Sequence, residues 1–138
     1  GFDESLEERL EHINRLREFQ DDNSSKLASF LCWSYKPYGN RLGGGEISDQ
    51  EYFRWLAVSR IFLDNFKHVR TSVLTKNEKA LDGLLYGADD FDLPTEDEVT
   101  QKAGATVSHE FEQVLNYGKE LGFNTIYRKP FPIPSQPT

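Results

Sequence analysis

Amphipathic helical segments alternate with short apolar runs along this chain, and that alternation limits the folds open to it. Two capping boxes, Ser5-x-x-Glu8 and Ser48-x-x-Glu51, mark the starts of helices. The predicted helices cover residues 5–20, 48–65, 78–86, 95–102 and 108–121. The predicted strands cover residues 27–33, 68–75 and 88–93, and residues 123–127 are predicted to be extended. The first of these strands carries few charges, as expected of a strand buried on both faces.

Strands that alternate with helices favour a parallel sheet, in an open doubly wound fold or in a (β/α) barrel. We predict the α/β class, with parallel strands and with helices on the outer face. A full barrel takes about 250 residues, so the 138 residues here would supply about half of one. This half-barrel is predicted to span residues 1–127, and four prolines predict an irregular tail over residues 128–138.

The predicted half-barrel begins with a helix whose preceding strand is absent, and its sheet edges need cover. We expect a missing N-terminal half-barrel, or a second copy of the chain in a homo-oligomer, to supply that cover. The chain contains no Met and opens on Gly1. It is therefore expected to be a fragment, unless an initiator Met has been removed.

Composition excludes several classes of function. The net charge is -7 and the 16 Lys and Arg residues are scattered, which makes nucleic acid an unexpected partner. No apolar run approaches the roughly 20 residues that span a bilayer, and the first residues have no signal-peptide pattern, so we expect a cytoplasmic protein. A single cysteine, Cys32, is too few for a zinc or iron-sulfur site of its own.

Candidate binding residues follow the predicted strands, because function in such folds sits at the carboxyl ends of the strands. The segments 33–42, 71–76 and 89–95 should therefore lie together. The first segment offers aromatic surface and polar donors, a mixture suited to stacking on a base or ribose, in Trp33, Tyr35, Lys36, Asn40 and Arg41. The alternative is a packed Trp beside a solvated loop.

The acidic run Asp89, Asp90 and Asp92 could accept hydrogen bonds from ribose hydroxyls or relay a proton. Solvated loop and capping carboxylates are the alternative, and no neighbouring His completes a metal-ligand set. Cys32 lies within an apolar run, where a small packing role is favoured over a nucleophilic one. No catalytic residue and no metal site is assigned from the pattern.

Four segments carry a family resemblance: GFDESLEERLEHINRLREFQDD, SFLCWSYKPYGNRLG, EYFRWLAVSRIFLDNF and GADDFDLPTEDEVTQKAGA. Together they resemble the radical S-adenosylmethionine enzymes of the futalosine route to menaquinone, through most of residues 1–125. Within that family the chain is most similar to aminofutalosine synthase and cyclic dehypoxanthinyl futalosine synthase. The similarity includes LDN at residues 63–65 and GADD at residues 87–90.

The resemblance implies a (β/α) barrel that holds a 4Fe-4S cluster, cleaves S-adenosylmethionine to a 5′-deoxyadenosyl radical and acts on a nucleoside-type intermediate. The CxxxCxxC cysteines of the cluster are absent from this chain, so the chain alone is expected to bind no cofactor and to be inactive. By resemblance and position, the residues assigned to cofactor binding are Glu4, Arg9, Thr71 and Val73. The residues assigned to the substrate are Trp33, Tyr35, Arg41, Asp90 and Asp92.

The chain departs from the family pattern in three places: Cys32 replaces a usual Pro, Phe2 replaces a His, and the loop at residues 92–95 is reworked. Phe2 and the loop bear on the identity of the substrate. A different reading also stays open at this point. The chain could be a stand-alone, non-catalytic α/β module that binds a partner across its open sheet edge.

Overall fold

The computed structural model describes residues 3–24, 26–39, 41–93 and 111–128. The predicted helix at 95–102, the start of the helix at 108–121 and the tail at 129–138 lie outside these residues. The described helices are α1 (Leu6–Asp22), α2 (Asp49–Phe62), α3 (Val73–Lys76), a 3₁₀ helix (Asn77–Tyr86) and α4 (Phe111–Glu120). The described strands are β1 (Ser29–Leu31), β2 (His68–Thr71) and β3 (Asp90–Phe91).

The capping box predicted at the start of α1 is confirmed. The Ser5 backbone N–H donates to Glu8 Oε2 over 2.7 Å, and the Glu8 backbone N–H donates to Ser5 Oγ over 3.2 Å. The helix runs two residues beyond the predicted end at Gln20, whose side chain is buried and exchanges two hydrogen bonds with the Leu27 backbone. These bonds fix the turn between α1 and β1.

The cap predicted at the start of α2 is also present, since Ser48 Oγ accepts from the Glu51 backbone N–H over 3.1 Å. One face of α2 is buried against the sheet through Tyr52, Phe53 and Leu56. The helix ends at Phe62 rather than near Asn65, because the chain turns over residues 63–65 to enter β2.

The three strands form a parallel sheet in the order β1-β2-β3, which confirms the predicted α/β class with parallel strands. Phe30 pairs with Val69, and Thr71 pairs with Phe91. Val69 and Thr71 are fully buried, whereas His68 and Arg70, which alternate with them, are half-buried on the opposite face. Whether the sheet belongs to a half-barrel stays a prediction. None of the helices described here is long and apolar enough to cross a membrane.

The strand predictions were wrong in length. The run 27–33 is a strand only over Ser29–Leu31, whose residues are half-buried rather than buried on both faces, and the run 88–93 is a strand only over Asp90–Phe91. The run 68–75 stops being a strand at Thr71, and α3 follows. Ser72 causes this change, because its hydroxyl accepts from the Thr75 backbone N–H and closes a helical turn.

Close packing between α2, β2 and the 3₁₀ helix depends on Gly83. A Cβ atom at this position would lie 2.6 Å from Leu56 Cδ2 and 2.8 Å from Thr71 Oγ1. The 3₁₀ helix was predicted as an α-helix over residues 78–86, and it ends as predicted on Gly87, which has a positive φ of 96°. This arrangement places the end of β2 directly beneath the first turn of α2.

Candidate functional site

The ends of β1 and β2 are joined by the hydroxyl of Tyr52 in the first turn of α2. The Tyr52 hydroxyl donates to the Cys32 carbonyl over 2.9 Å and accepts from the Ser72 backbone N–H over 3.0 Å. It also lies 3.3 Å from Thr71 Oγ1. Burial raises the pKa of Tyr52 to about 12, so this phenol stays protonated at neutral pH. The structure thus brings the predicted strand-end segments side by side.

Charged side chains and one serine form a group at this end of the sheet. We call this group the strand-end charge cluster. Its members are Ser34, Lys36, Glu46, Asp49 and Lys76. Lys76 Nζ lies 3.1 Å from Glu46 Oε1 and 2.8 Å from Asp49 Oδ1, and its side chain is only 5% exposed. Lys36 Nζ and Ser34 Oγ approach the same Glu46 oxygen at 2.6 Å and 3.3 Å. Lys76 Nζ also lies 5.4 Å from the centroid of the Tyr52 ring.

The two carboxylates of the cluster are held ionised by these lysines. Burial alone would raise the pKa of Glu46, but hydrogen bonds from Lys36 and Lys76 outweigh it and leave the pKa below its ordinary value. The pKa of Asp49 is lowered mainly by its hydrogen bond from Lys76. Sequence reasoning named Lys36 and predicted that the segments of Ser34, Lys36 and Lys76 lie together, but it missed Glu46, Asp49 and the pairing of the charges. The members are separated by up to 42 positions, and no local motif connects Ser34 to Lys76.

Arg9 lies in a cleft of about 400 Å³ beside the cluster. The cleft is lined by Asp3, Arg9, Tyr35, Leu42, Gly43, Gly44, Gly45 and Ile47. Arg9 Nε lies 3.3 Å from Glu4 Oε1, and the Arg9 guanidinium lies 5.3 Å from the centre of the Trp55 ring. Arg9 Nε is buried and, despite this ion pair, makes no hydrogen bond among the described residues. Of the two residues assigned to the cofactor from the N-terminal segment, Arg9 therefore lines the cleft and Glu4 pairs with Arg9.

Tyr35 forms one wall of the same cleft. Its hydroxyl donates to the Gly43 carbonyl over 2.8 Å, and its Cε1 atom would lie 3.4 Å from a Cβ added at Gly44. Gly43 and Gly44 have positive φ angles of 70° and 89°, which glycine adopts without strain. The glycine-rich turn therefore folds over the Tyr35 ring.

Asp90 lies on the half-buried face of the sheet between two arginines. Asp90 Oδ2 accepts from Arg70 Nε over 3.0 Å and from Arg128 Nη2 over 2.6 Å. Burial alone would raise the pKa of Asp90, but these two guanidinium groups outweigh it and hold the pKa below its ordinary value. Asp90 is therefore an ionised acceptor at neutral pH.

The remaining assigned residues fall into two groups. Trp33 is 54% exposed, Arg41 is exposed and Asp92 is half-buried, so all three have surface for a ligand. Thr71 and Val73 are 0% and 2% exposed. Thr71 Oγ1 donates to the Ala80 carbonyl over 2.8 Å, and Val73 packs in the cluster that includes Val114. Their assignment to cofactor binding stays a prediction, and their side chains do not line the cleft.

Cys32 and His68 make contacts within the fold, whereas His12 is exposed. Burial raises the pKa of the Cys32 thiol to about 11, against a smaller opposing effect of Ser59, so the thiol is protonated at neutral pH and poorly nucleophilic. His68 Nδ1 lies 2.8 Å from Asp89 Oδ2. Within the described ranges, no group of three His, Cys, Asp or Glu side chains could hold a metal ion.

A family model described as the CofH/MqnC C-terminal region matches residues 24–131, which is most of the chain. The chain belongs to this family. Its strand-end charge cluster and the glycine-rich turn of its cleft thus lie within the CofH/MqnC C-terminal region, whereas Glu4 and Arg9 precede the matched residues.

Several curated proteins are also similar to this chain in sequence. Cyclic dehypoxanthine futalosine synthase of Streptomyces coelicolor is 36% identical over 108 residues, covering 76% of this chain and 27% of the relative. Aminodeoxyfutalosine synthase of Thermus thermophilus is 41% identical over 76 residues, covering 51% of this chain and 20% of the relative. A third relative, 5-amino-6-(D-ribitylamino)uracil--L-tyrosine 4-hydroxyphenyl transferase of Halobacterium salinarum, is 32% identical over 128 residues, covering 88% of this chain and 28% of the relative. The chain spans between a fifth and a third of the length of these relatives.

Proposed function

We propose that this chain is the C-terminal portion of a radical S-adenosylmethionine enzyme that acts on a nucleoside-type intermediate of menaquinone biosynthesis. The match of residues 24–131 to the CofH/MqnC C-terminal region carries the proposal. Two of the relatives are named as futalosine synthases, which favours the menaquinone route over the uracil transferase reaction. The chain alone is proposed to be inactive, and its location to be cytoplasmic.

The residues present do not fit a 4Fe-4S cluster. Such a cluster needs several cysteine thiolates, and this chain has one cysteine, whose thiol is buried and protonated at neutral pH. The cluster ligands are therefore proposed to lie in a part of the enzyme outside this chain. No step of the reaction is assigned to Cys32.

The cleft at Arg9 fits the amino-acid end of S-adenosylmethionine. Arg9 Nε is a buried donor that makes no hydrogen bond among the described residues, and it suits a carboxylate. Glu4 stands 3.3 Å from Arg9 and could accept from an ammonium group. When bound, S-adenosylmethionine supplies the 5′-deoxyadenosyl group that starts radical chemistry. The proposed part of Arg9 and Glu4 is to orient this cofactor, with Thr71 and Val73 supporting the strand end behind it.

The substrate is proposed to lie against the strand ends. The exposed ring of Trp33 offers a stacking surface for a base, and Tyr35 extends that surface into the cleft. Asp90, held ionised by Arg70, and Asp92 would accept from ribose hydroxyls. Arg41 would bind a polar edge of the substrate.

The partner proposed for this chain is the N-terminal half-barrel of the same enzyme. In the order β1-β2-β3, the two outer strands each pair on one side only among the described strands. A parallel sheet with such edges is stabilised by further strands, and a barrel supplies them.

Anaerobic assay of the natural polypeptide tests the proposal. We expect it to contain iron and sulfide and, with a strong reductant, to convert S-adenosylmethionine to 5′-deoxyadenosine. The chain of residues 1–138 alone is expected to do neither. A natural polypeptide that carries this chain, lacks iron and gives no 5′-deoxyadenosine would contradict the proposal.

The second candidate is a stand-alone, non-catalytic α/β module, favoured by the single protonated cysteine. The coding sequence upstream of Gly1 distinguishes the two. An in-frame CxxxCxxC would exclude the module, whereas a native protein whose intact mass corresponds to residues 1–138 would support it.

A further inference from the structure

The chain after α4 returns to the sheet at Arg128. α4 packs on the 3₁₀ helix, where a Cβ atom at Gly118 would lie 2.9 Å from Leu81 Cδ2. The end of α4 is closed by the Phe123 backbone N–H, which donates to the Gly118 carbonyl over 3.0 Å. From there the chain runs to Arg128, whose Nη2 atom donates to Asp90 Oδ2 over 2.6 Å. A residue 38 positions further along the sequence is thus held beside Asp90.

The residues that lead to Arg128 are exposed. Ile126 and Tyr127 are 86% and 95% exposed, whereas only 28% of the Arg128 side chain is exposed. Side chains that remain in water gain little from burial, so they contribute little to the position of this segment. The ion pair with Asp90 is therefore a contact that holds the segment against the sheet.

Two arginines bind the same oxygen of Asp90. Arg70 Nε and Nη2 lie 3.0 Å and 2.9 Å from Asp90 Oδ2, which is the oxygen that Arg128 contacts. None of these three contacts uses Oδ1. Because the carboxylate is ionised, Oδ1 accepts hydrogen bonds and donates none, so the ligand group that fits it is a donor such as a hydroxyl.

The direction of Oδ1 depends on these arginines. β3 has only two residues, so its backbone pairing gives the Asp90 side chain little support. Arg70 belongs to β2 and Arg128 to the segment after α4, so donors from two separate elements meet at Oδ2. Fixing one oxygen of a planar carboxylate restricts the place of the other, which is how supporting side chains orient a binding group.

We infer that Arg128 is a positioning residue of the substrate site, which fixes Asp90 through Oδ2 so that Oδ1 accepts from a ribose hydroxyl. The segment after α4 thereby belongs to the site, although the sequence pattern predicts an irregular tail from residue 128 onward. The inference rests on the proposed function, in which Asp90 binds the ribose of the substrate. Arg128 acts through Asp90 and need not touch the ligand itself.

Preference for ribose hydroxyls tests the inference in the natural polypeptide that carries this chain. Inosine and 2′,3′-dideoxyinosine differ only in the 2′ and 3′ hydroxyls, and the ratio of their Kd values measures what those hydroxyls contribute. Both are titrated with saturating S-adenosylmethionine and no reductant, so that the ribose of the cofactor does not compete. We expect the unaltered protein to prefer inosine about tenfold or more, and Arg128→Ala to lose most of that preference.

Further variants show whether Arg128 acts through Asp90. Asp90→Asn should lose the preference, and adding Arg128→Ala to it should cause no further loss, because the two residues act as one unit. Arg128→Lys keeps a charged donor and should restore part of the preference. Arg17→Ala is the matched control, since the Arg17 side chain is 33% exposed and also pairs with an aspartate, Asp64. It should keep the preference even where Tm falls.

The outcomes separate the inference from the proposed function. An unaltered protein without the preference, a preference that survives Arg128→Ala, or additive losses in the double variant overturns the inference. If Arg128→Ala does not fold, Arg128→Gln carries the same expectation. Iron content and formation of 5′-deoxyadenosine are measured on the same unaltered protein. Loss of both contradicts the proposed function, whereas their presence with an unchanged preference in Arg128→Ala contradicts the inference alone.

Discussion

The buried side chain of Arg9 keeps one hydrogen-bond donor that a ligand could use. Its guanidinium packs on Trp55, and its Nε and Nη1 atoms lie 3.3 Å and 3.7 Å from carboxylate oxygens of Glu4 and Glu51, yet the buried Nε makes no hydrogen bond among the described residues. A buried donor whose hydrogen bond is not made costs free energy, which a well-placed ligand carboxylate would recover. Arg9 was assigned from the resemblance alone, and no pattern within the sequence indicated the cleft around it.

We expect Arg9→Gln to weaken binding of S-adenosylmethionine to the natural polypeptide. Loss of one charged hydrogen bond costs about 1.5–3 kcal/mol, or roughly ten- to hundredfold in Kd. Equilibrium dialysis measures the change. Arg15→Gln is the matched control, since the Arg15 side chain is 74% exposed and, among the described residues, pairs with Glu11 on the same helix. Equal affinity in the two variants would remove Arg9 from the proposed cofactor site.

Cys32 and Tyr52 make the stability of the fold sensitive to alkali. Their pKa values are raised to about 11 and about 12, while the unfolded chain titrates them near 9.0 and 10.0. Both groups are neutral acids that the fold keeps protonated, so their contribution is complete below about pH 9 and is lost as pH rises through the folded values.

The free energy of unfolding, measured in urea from about pH 7.5 to about pH 11, is therefore expected to fall above about pH 9. Cys32→Ala should flatten the lower part of that fall and Tyr52→Phe the upper part. Tyr38→Phe is the control, because Tyr38 is 62% exposed. An unchanged slope in both core variants would argue that other groups cause the fall.

At the scale of elements, Gly83 determines how closely the 3₁₀ helix can approach α2 and β2. Gly83→Ala should destabilise the fold by about 1–3 kcal/mol, because the added methyl overlaps Leu56 and Thr71. Urea unfolding at neutral pH measures the loss. Gly45→Ala is the control: its Cβ meets no atom within 4 Å and should change stability little. Similar values for the two variants would contradict the close packing.

Helix starts were predictable from the sequence, whereas strand ends were not. Ser5 and Ser48 cap through residues three positions away, so local spacing reveals them. The sequence predicts one strand over the run 68–75 because the run is short and rich in β-branched residues. Val73 is apolar for a different reason: it is buried in a helical turn closed by Ser72. An apolar residue predicts burial, but it does not show whether the buried residue belongs to a strand or to a helical turn.

The strand-end charge cluster could not be predicted for a related reason. Lys36 and Lys76 are 40 positions apart, and they contact the same Glu46 oxygen because β1 and β2 are adjacent and parallel. The segments at the strand ends were predicted to lie together, but the pairing of particular charges depends on the path of the intervening turn. The side-chain contacts of Glu46 become visible only in three dimensions.

At the scale of the whole molecule, the described residues leave apolar surface on α1. Leu6 and Leu10 are 58% and 41% exposed, although they lie on the same side of the helix as buried Ile13. Together with the outer strands of the sheet, this surface favours association with another polypeptide.

We expect the chain of residues 1–138 to self-associate, so that its average molar mass measured by light scattering rises with concentration. Leu6→Lys with Leu10→Lys should weaken the association, because charge on this face opposes its burial. Glu7→Lys with Glu11→Lys adds two lysines to other faces of the same helix and should leave it unchanged or stronger. A strictly monomeric chain at high concentration would contradict this expectation.

The hydroxyl of Tyr52 bonds at once to the Cys32 carbonyl and to the Ser72 backbone N–H. One atom of α2 therefore sets the separation between the segment that leaves β1 and Ser72, the residue that joins β2 to α3. Substitutions that tilt α2 will displace both segments together, in the same direction and by similar amounts. Ligand preference in relatives of this chain can thus change through helix orientation while every residue that touches the ligand stays the same.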